Sequence, residues 1–271
     1  MFAASAADGL VTSEGHHFTS VVLTGRQHPG ADMTASGNGV HLALLGGFRL
    51  THLGGAVALS LGAQRLLALL ALHDDVHRAA AAEQLWPDSS SSRAAANLRS
   101  ALWRGRRVGA VPVIDCAGPR LRLSPAACVD VREVREHVRQ TIDTERPPDS
   151  HDIESLLDGL GRDLLPGWSE DWLVLERERW NQIRLHALET LAQRLMAAGH
   201  YLAAMQTALA AIAIEPLRET PHRTVMEIHV AEGNRASAIM KYQSYRVLLQ
   251  RELGVAPSSK MIALARGLLP G

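Results

Sequence analysis

Between Val40 and Leu123 the spacing of apolar residues changes character twice, and that succession limits the folds open to this chain more than any other feature. The runs HLALLGGFRL and VALSL flank the turn His52-Leu53-Gly54-Gly55 and read as a hairpin-like pair of strands, with glycine supplying positive φ. Helical patterns follow. Ala63–Leu72 (AQRLLALLAL) is strongly apolar, and Arg78–Trp86 (RAAAAEQLW) gathers apolar residues on one face before Pro87 ends it. Asp88 and Ser89–Ser92 offer several N-cap side chains for a third helix, SRAAANLRSALWRGRR. The period then becomes two: Val111, Val113, Cys116, Leu121 and Leu123 surround the turn Ala117-Gly118-Pro119, a small hairpin carrying Arg120 and Arg122.

Strand, strand, three helices and a hairpin form the order of a winged helix-turn-helix with an N-terminal sheet, in which the second of the paired helices enters the major groove. Charge points to the same helix independently. Residues 89–123 hold seven arginines (Arg93, Arg99, Arg104, Arg106, Arg107, Arg120, Arg122) against one acid, Asp115, although the whole chain balances 28 basic with 28 acidic residues. A local excess of this kind points to phosphate.

At 100° per residue, Ala95, Leu98, Leu102 and Gly105 of the third helix share the inward face. Arg93, Ala96, Ser100, Trp103, Arg104 and Arg107 lie opposite, with Asn97 on one flank and Arg99 and Arg106 on the other. The outward face combines small residues, which permit close approach, with guanidiniums suited to guanine O6/N7, and Asn97 suits adenine. Arg99 and Arg106 suit backbone phosphates, which set register without reading sequence. Arg120, beside the wing turn, suits the neighbouring minor groove or backbone. The plain reading of each is a solvated surface arginine.

From about Val129 the pattern turns to long helices, with 17 basic and 20 acidic residues in the remaining 143 and no cationic footprint. The stretch DTERPPD (143–149) breaks helices around Asp130–Gln140 and Ile153–Leu160. After the turn in LLPGWSEDWL comes a long amphipathic helix with Trp172, Leu175, Trp180, Ile183, Ala187, Leu191 and Leu195 at helical spacing. Residues 197–205 (AAGHYLAAM) then recur as 231–239 (AEGNRASAI), an offset of 34, which is the tetratricopeptide period.

Other classes find little support. No apolar run reaches the roughly 18 residues of a membrane span. Residues 1–39 lack the basic and apolar regions of a secretory signal and read as a disordered leader, with Met33 an alternative start. These features place the chain in the cytoplasm. His73 and His77 have i, i+4 spacing, but they fall where one helix must end and the next begin, so no metal site is expected. Ser89–Ser92 lacks a glycine elbow, and Gly159-Leu160-Gly161-Arg162 lacks the Lys-Ser/Thr ending of a P-loop, so neither an enzyme nor a cofactor is indicated. Trp168, Trp172 and Trp180 read as helical core rather than a ligand cage.

The segments LGGFRL, LGAQRLLALLAL, EQLWPD, ANLRSALWRGRR and RLRLSP resemble the Streptomyces antibiotic regulatory protein family. LLPGWSEDWLVLERERW, LHALETLAQRLMAAGHYLAAMQTALAAIAIEPLRETPHRTVM and YRVLLQRELGVAPSS resemble that family's bacterial transcriptional activation domain. The resemblance implies an OmpR-type DNA-binding domain over 40–128 and a tetratricopeptide-like activation domain over 129–271. It further implies a pathway-specific activator of a secondary-metabolite cluster, without the ATPase module of larger relatives. Such an activator binds direct repeats in double-stranded promoter DNA as a homodimer and engages RNA polymerase holoenzyme. The family usually has leucine where this chain has Gly105. Glycine there removes a core side chain, leaves a gap and favours an early helix end, which would put Arg106 and Arg107 in the loop before the wing. The rival reading, which Gly105 favours, is a helical-repeat adaptor with a vestigial winged domain that binds protein partners.

Overall fold

The computed structural model describes residues 39–143 and 150–268; the expected leader up to residue 38, with Met33, and the helix break at 144–149 lie outside the described residues. The first half runs β1 (Val40–Ala43), β2 (Arg49–His52), β3 (Gly55–Ala56), α1 (Leu61–Leu72), β4 (Val76–His77), α2 (Arg78–Leu85) and α3 (Ser91–Gly105). It continues with β5 (Arg107–Val108), β6 (Val111–Pro112), β7 (Ile114–Ala117), β8 (Arg120–Leu123) and β9 (Ala127–Val129). Among the described residues all further elements are helices: α4 (Asp130–Asp143), α5 (Ser150–Gly161), α6 (Trp172–Ala197), α7 (Tyr201–Ile214), α8 (Glu219–Ala231), α9 (Arg235–Leu253) and α10 (Ser259–Leu268). The protein is mainly α, a winged helix-turn-helix with an N-terminal sheet and a hairpin wing, followed by a tetratricopeptide-like helical half.

The N-terminal sheet departs from the expected hairpin. HLALLGGFRL is two strands, because Gly46 (φ +79°) and Gly47 (φ +131°) turn it back and pair Leu42 with Leu50. The turn after His52 is present, with Leu53 (φ +51°) and Gly54 (φ +77°) both left-handed as a mirror-image two-residue turn requires, but it leads only into the two-residue β3. The fourth strand, β9, arrives after the wing and runs parallel to β1, giving the order β3-β2-β1-β9.

Helix α1 is apolar almost all round, and Leu66, Leu67, Ala68, Leu69 and Leu70 are each fully buried, as befits a central helix enclosed on every side. The link from α1 to α2 is itself a strand: β4 pairs Val76 with Leu121 of the wing, making a three-stranded sheet β4-β8-β7 where a two-stranded hairpin was expected. His73 therefore closes α1 as its C-cap, while His77 opens α2 and accepts a hydrogen bond on Nδ1 from the Ala79 N–H at 3.3 Å. The two imidazoles share no helical face.

The 34-residue repeat is visible in the backbone. Helices α6 and α8 end at Ala197 and Ala231, and α7 and α9 begin at Tyr201 and Arg235. Gly199 and Gly233 have φ of +78° and +79°. The His200 N–H bonds Leu195 O at 2.9 Å, and the Asn234 N–H bonds His229 O at 2.7 Å. Ala204 and Ala238, one repeat apart, are both fully buried where paired helices touch. On α6, Trp180, Ala187, Leu191 and Leu195 face the core as expected, but Leu175 is exposed and Leu173 takes the buried place.

Both halves share one continuous apolar core, running from Val40 through Trp180 to Ile228. Several polar groups join them. The Asp130 carboxylate at the start of α4 accepts the N–H groups of Leu44 (2.9 Å), Leu45 (2.9 Å) and Val131 (2.7 Å). Arg132 donates to Ala71 O (2.8 Å) and Leu70 O (3.1 Å), satisfying carbonyls at the C-terminus of α1. The segment DLLPGWSED (163–171) docks on the β1–β2 turn through Gly46 N–H to Asp163 O (2.8 Å), Leu165 N–H to Leu44 O (2.8 Å) and a Phe48–Trp168 stack at 5.9 Å. Arg177 holds that loop from the other side, donating to Leu164 O (3.0 Å), Leu165 O and Trp168 O (2.8 Å).

Candidate nucleic-acid interface

Ser90 is the N-cap of α3, within the expected serine run, but its side chain makes no capping bond and instead lies 3.3 Å from the Ser92 hydroxyl. Ala94, Leu98, Ala101, Leu102 and Gly105 are buried, so the inward face is the expected one turned slightly toward Ala94 and Ala101, with Ala95 at its edge. Arg93, Arg99, Ser100, Trp103 and Arg104 are exposed, and Asn97 is half-buried. Trp103 is 84% exposed, a large apolar surface that the fold leaves uncovered at the centre of the arginine face.

The helix ends at Gly105. Arg106 is its C-cap, still with helical backbone (φ −68°, ψ −29°), and its N–H bonds Leu102 O at 2.9 Å. Arg107 belongs to β5, so its place on the outward face of a continuing helix is corrected: its side chain is exposed in the short β5–β6 hairpin, which turns at Gly109 (φ +60°).

The expected gap beneath Gly105 is also corrected. A Cβ placed there would lie 3.8 Å from Ala63 Cα and 3.3 Å from Ala63 Cβ, the second closer than side-chain carbons ordinarily approach. Glycine lets α3 close directly onto α1, where a larger residue would push them apart.

The wing arginines differ from those of the helix in one respect. Arg120 pairs with Asp75 at 3.1 Å and Arg122 with Asp115 at 3.5 Å, both as exposed pairs. Such pairs contribute little to stability, so Arg120 can exchange its partner at small cost. Arg93, Arg99, Arg104, Arg106 and Arg107 have no carboxylate partner among the described residues.

A cleft of about 440 Å³ opens beside the C-terminal half of α3, lined by Arg78, Arg99, Leu102, Trp103, Arg106, Arg107 and Cys116. Three of its arginines are those singled out from the sequence. The fourth, Arg78, lies at the start of α2, and no pattern local to α3 or the wing could have included it. The signal was its position as the first residue of the helix preceding α3.

A winged helix-turn-helix carried on tetratricopeptide-like helices is the class this architecture defines. A family model described as bacterial transcriptional activator domain matches residues 129–269, and the chain belongs to that family, in the Streptomyces antibiotic regulatory protein form of transcriptional activator. Among curated proteins, the regulatory protein AfsR of Streptomyces coelicolor is 27% identical over 241 residues, covering 85% of this chain and 24% of AfsR. Among solved structures, Mycobacterium tuberculosis EmbR, in complex with a low-affinity phosphopeptide, is similar with a TM-score of 0.67 at 20% identity, covering 86% of this chain and 65% of that one. The chain thus spans about a quarter of AfsR and about two thirds of the EmbR chain. Among the described residues no helix is long and apolar enough to cross a membrane.

Proposed function

We propose that this protein is a sequence-specific DNA-binding activator with no catalytic role, acting in the cytoplasm on promoters of a secondary-metabolite gene cluster. Residues 40–128 bind double-stranded DNA, and 129–271 form the activation domain that engages RNA polymerase holoenzyme. Binding is to direct repeats, with a homodimer formed at least on DNA. The observation that carries the reading is the outward face of α3, where Arg93, Arg99 and Arg104 surround an exposed Trp103 and lack carboxylate partners among the described residues.

Arg93, Asn97, Ser100, Trp103 and Arg104 face the major groove; Arg99, Arg106 and Arg107 hold phosphates; Arg120 leaves Asp75 for the neighbouring backbone or minor groove. The adaptor alternative drew on Gly105 as a defect in the winged domain. The 3.3 Å approach to Ala63 makes Gly105 a packing residue instead, which supports a working DNA-binding domain.

Fluorescence anisotropy with the upstream regions of neighbouring genes, at two salt concentrations, tests the proposal. Affinity is expected to fall steeply with salt, with a logarithmic slope of about 0.9 per neutralised phosphate. Joint replacement of Arg93, Arg104 and Arg106 by alanine should abolish specific binding. Unchanged affinity in that variant, with the fold intact by circular dichroism, would show that α3 is not the reading helix.

A further inference from the structure

We infer that the cleft between α3, the start of α2 and β7 is a seat for one phosphodiester of the DNA backbone, with Arg78 as the residue that closes it. The inference rests on the DNA-binding reading and adds to it a residue from a different helix and a bounded site.

Four arginines line the cleft: Arg78, Arg99, Arg106 and Arg107. None has a carboxylate partner among the described residues, whereas Arg120 and Arg122 of the adjacent wing each have one. An oxyanion seated among arginines without carboxylate partners accepts several charge-assisted hydrogen bonds. Arg78 is the one of the four that comes from α2 rather than from α3 or the strand after it.

The position of Arg78 is set by the fold. Its backbone N–H donates to Pro119 O in the wing turn at 2.8 Å, while β4, just before it, pairs His77 with Arg120. The start of α2 is therefore tied to the wing, and the guanidinium stands beside the end of α3 without a long entropic search. Leu102 and Trp103 line the same cleft with apolar surface, which suits the deoxyribose flanking a phosphate better than a free hydrated ion. A contact of this kind positions the duplex and carries no sequence information.

Two readouts test the seat. In anisotropy, Arg78→Ala and Arg78→Gln should weaken binding to cognate and scrambled duplexes equally, by roughly tenfold at low salt, and reduce the salt slope by about 0.9. Arg122→Ala, outside the cleft, should leave the slope unchanged. The second readout uses Cys116, which lines the cleft, against Cys128, which lies in β9 of the other sheet. Duplex DNA should slow maleimide alkylation of Cys116 and not of Cys128, and inorganic pyrophosphate at fixed ionic strength should do the same in the wild type and fail in Arg78→Gln.

If the wild type binds DNA but the Arg78 variants keep its slope and Cys116 is unprotected, the seat is overturned and the DNA-binding reading stands. If DNA does not bind at low salt, that reading fails, and the pyrophosphate arm decides the seat alone. Protection by pyrophosphate that depends on Arg78 supports an anion seat, and no protection by either probe overturns it.

Discussion

Replacing Gly105 with leucine separates two accounts of the α1–α3 contact. If glycine leaves a gap, leucine fills it and stabilises the fold. If glycine is there to let the helices close, leucine is forced against Ala63, whose Cβ lies only 3.3 Å from where the new Cβ must sit. Overpacking of this kind costs about 1–3 kcal/mol, and the gain in helix propensity on losing glycine offsets at most about 1 kcal/mol of it. A single variant therefore mixes two terms of opposite sign. A cycle with Ala63→Gly removes the mixture, since both propensity effects cancel in the coupling. Gly105→Leu should cost about 1–2 kcal/mol more in the wild-type background than in the Ala63→Gly background, which is well outside the roughly 0.3–0.5 kcal/mol scatter of independent sites. Urea denaturation of the four proteins gives the coupling directly, and a difference of about 2 kcal/mol should also move the melting midpoint by several degrees. Additive effects, or a Gly105→Leu variant more stable than the wild type, would refute the close-packing account.

Other outcomes follow from the helical half. His222 is buried, stacks on Tyr245 at 4.2 Å and holds Pro216 O at 2.9 Å; burial, with the Lys241 charge nearby, lowers its pKa to about 4 against some help from Glu219. The native imidazole stays neutral where the unfolded one is protonated, so stability should fall as pH drops from about 6.5 toward 4, by up to about 3 kcal/mol from this group. His222→Gln should flatten that part of a stability–pH profile, and an unchanged slope would reject the assignment. Glu189, nearly buried on α6, accepts both Arg218 Nε (2.6 Å) and Nη2 (2.9 Å). Arg218→Ala strands that carboxylate and should cost about 3 kcal/mol of stability, read from the denaturant midpoint, with Glu189→Gln in the same chain recovering part of it. Asp75→Asn frees Arg120 and should raise DNA affinity slightly, about twofold, an effect that salt titration should abolish.

Much of this molecule is legible along the chain because it depends on neighbours two, three or four residues apart. The three helices of the winged half, the wing turn at Gly118-Pro119 and the 34-residue repeat with its left-handed glycines all follow from local periodicity and turn chemistry. So does the outward set Arg93, Ser100, Trp103 and Arg104, since helical spacing alone puts them opposite Leu98 and Leu102. Local cues misjudged places where a distant segment supplies the partner. Gly105 reads as a lost side chain until Ala63 is brought against it, and β4 reads as a turn until β8 gives it hydrogen bonds. The sequence places Asp130 at the start of a helix, yet nothing nearby says that its carboxylate binds Leu44 and Leu45.

By itself, then, the amino-acid order determined which segments are helices, which face of α3 is cationic and that the second half repeats. Tertiary structure alone decided which of those charges remain unpaired. Asp75 and Asp115 reach Arg120 and Arg122, one across the wing sheet and one across its hairpin, while Arg78, from a different helix, arrives beside Arg99 and Arg106. Periodicity states how a side chain is oriented on its own element. Which opposite or like charge it meets is set by how elements pack, and that meeting governs whether an arginine is available to phosphate.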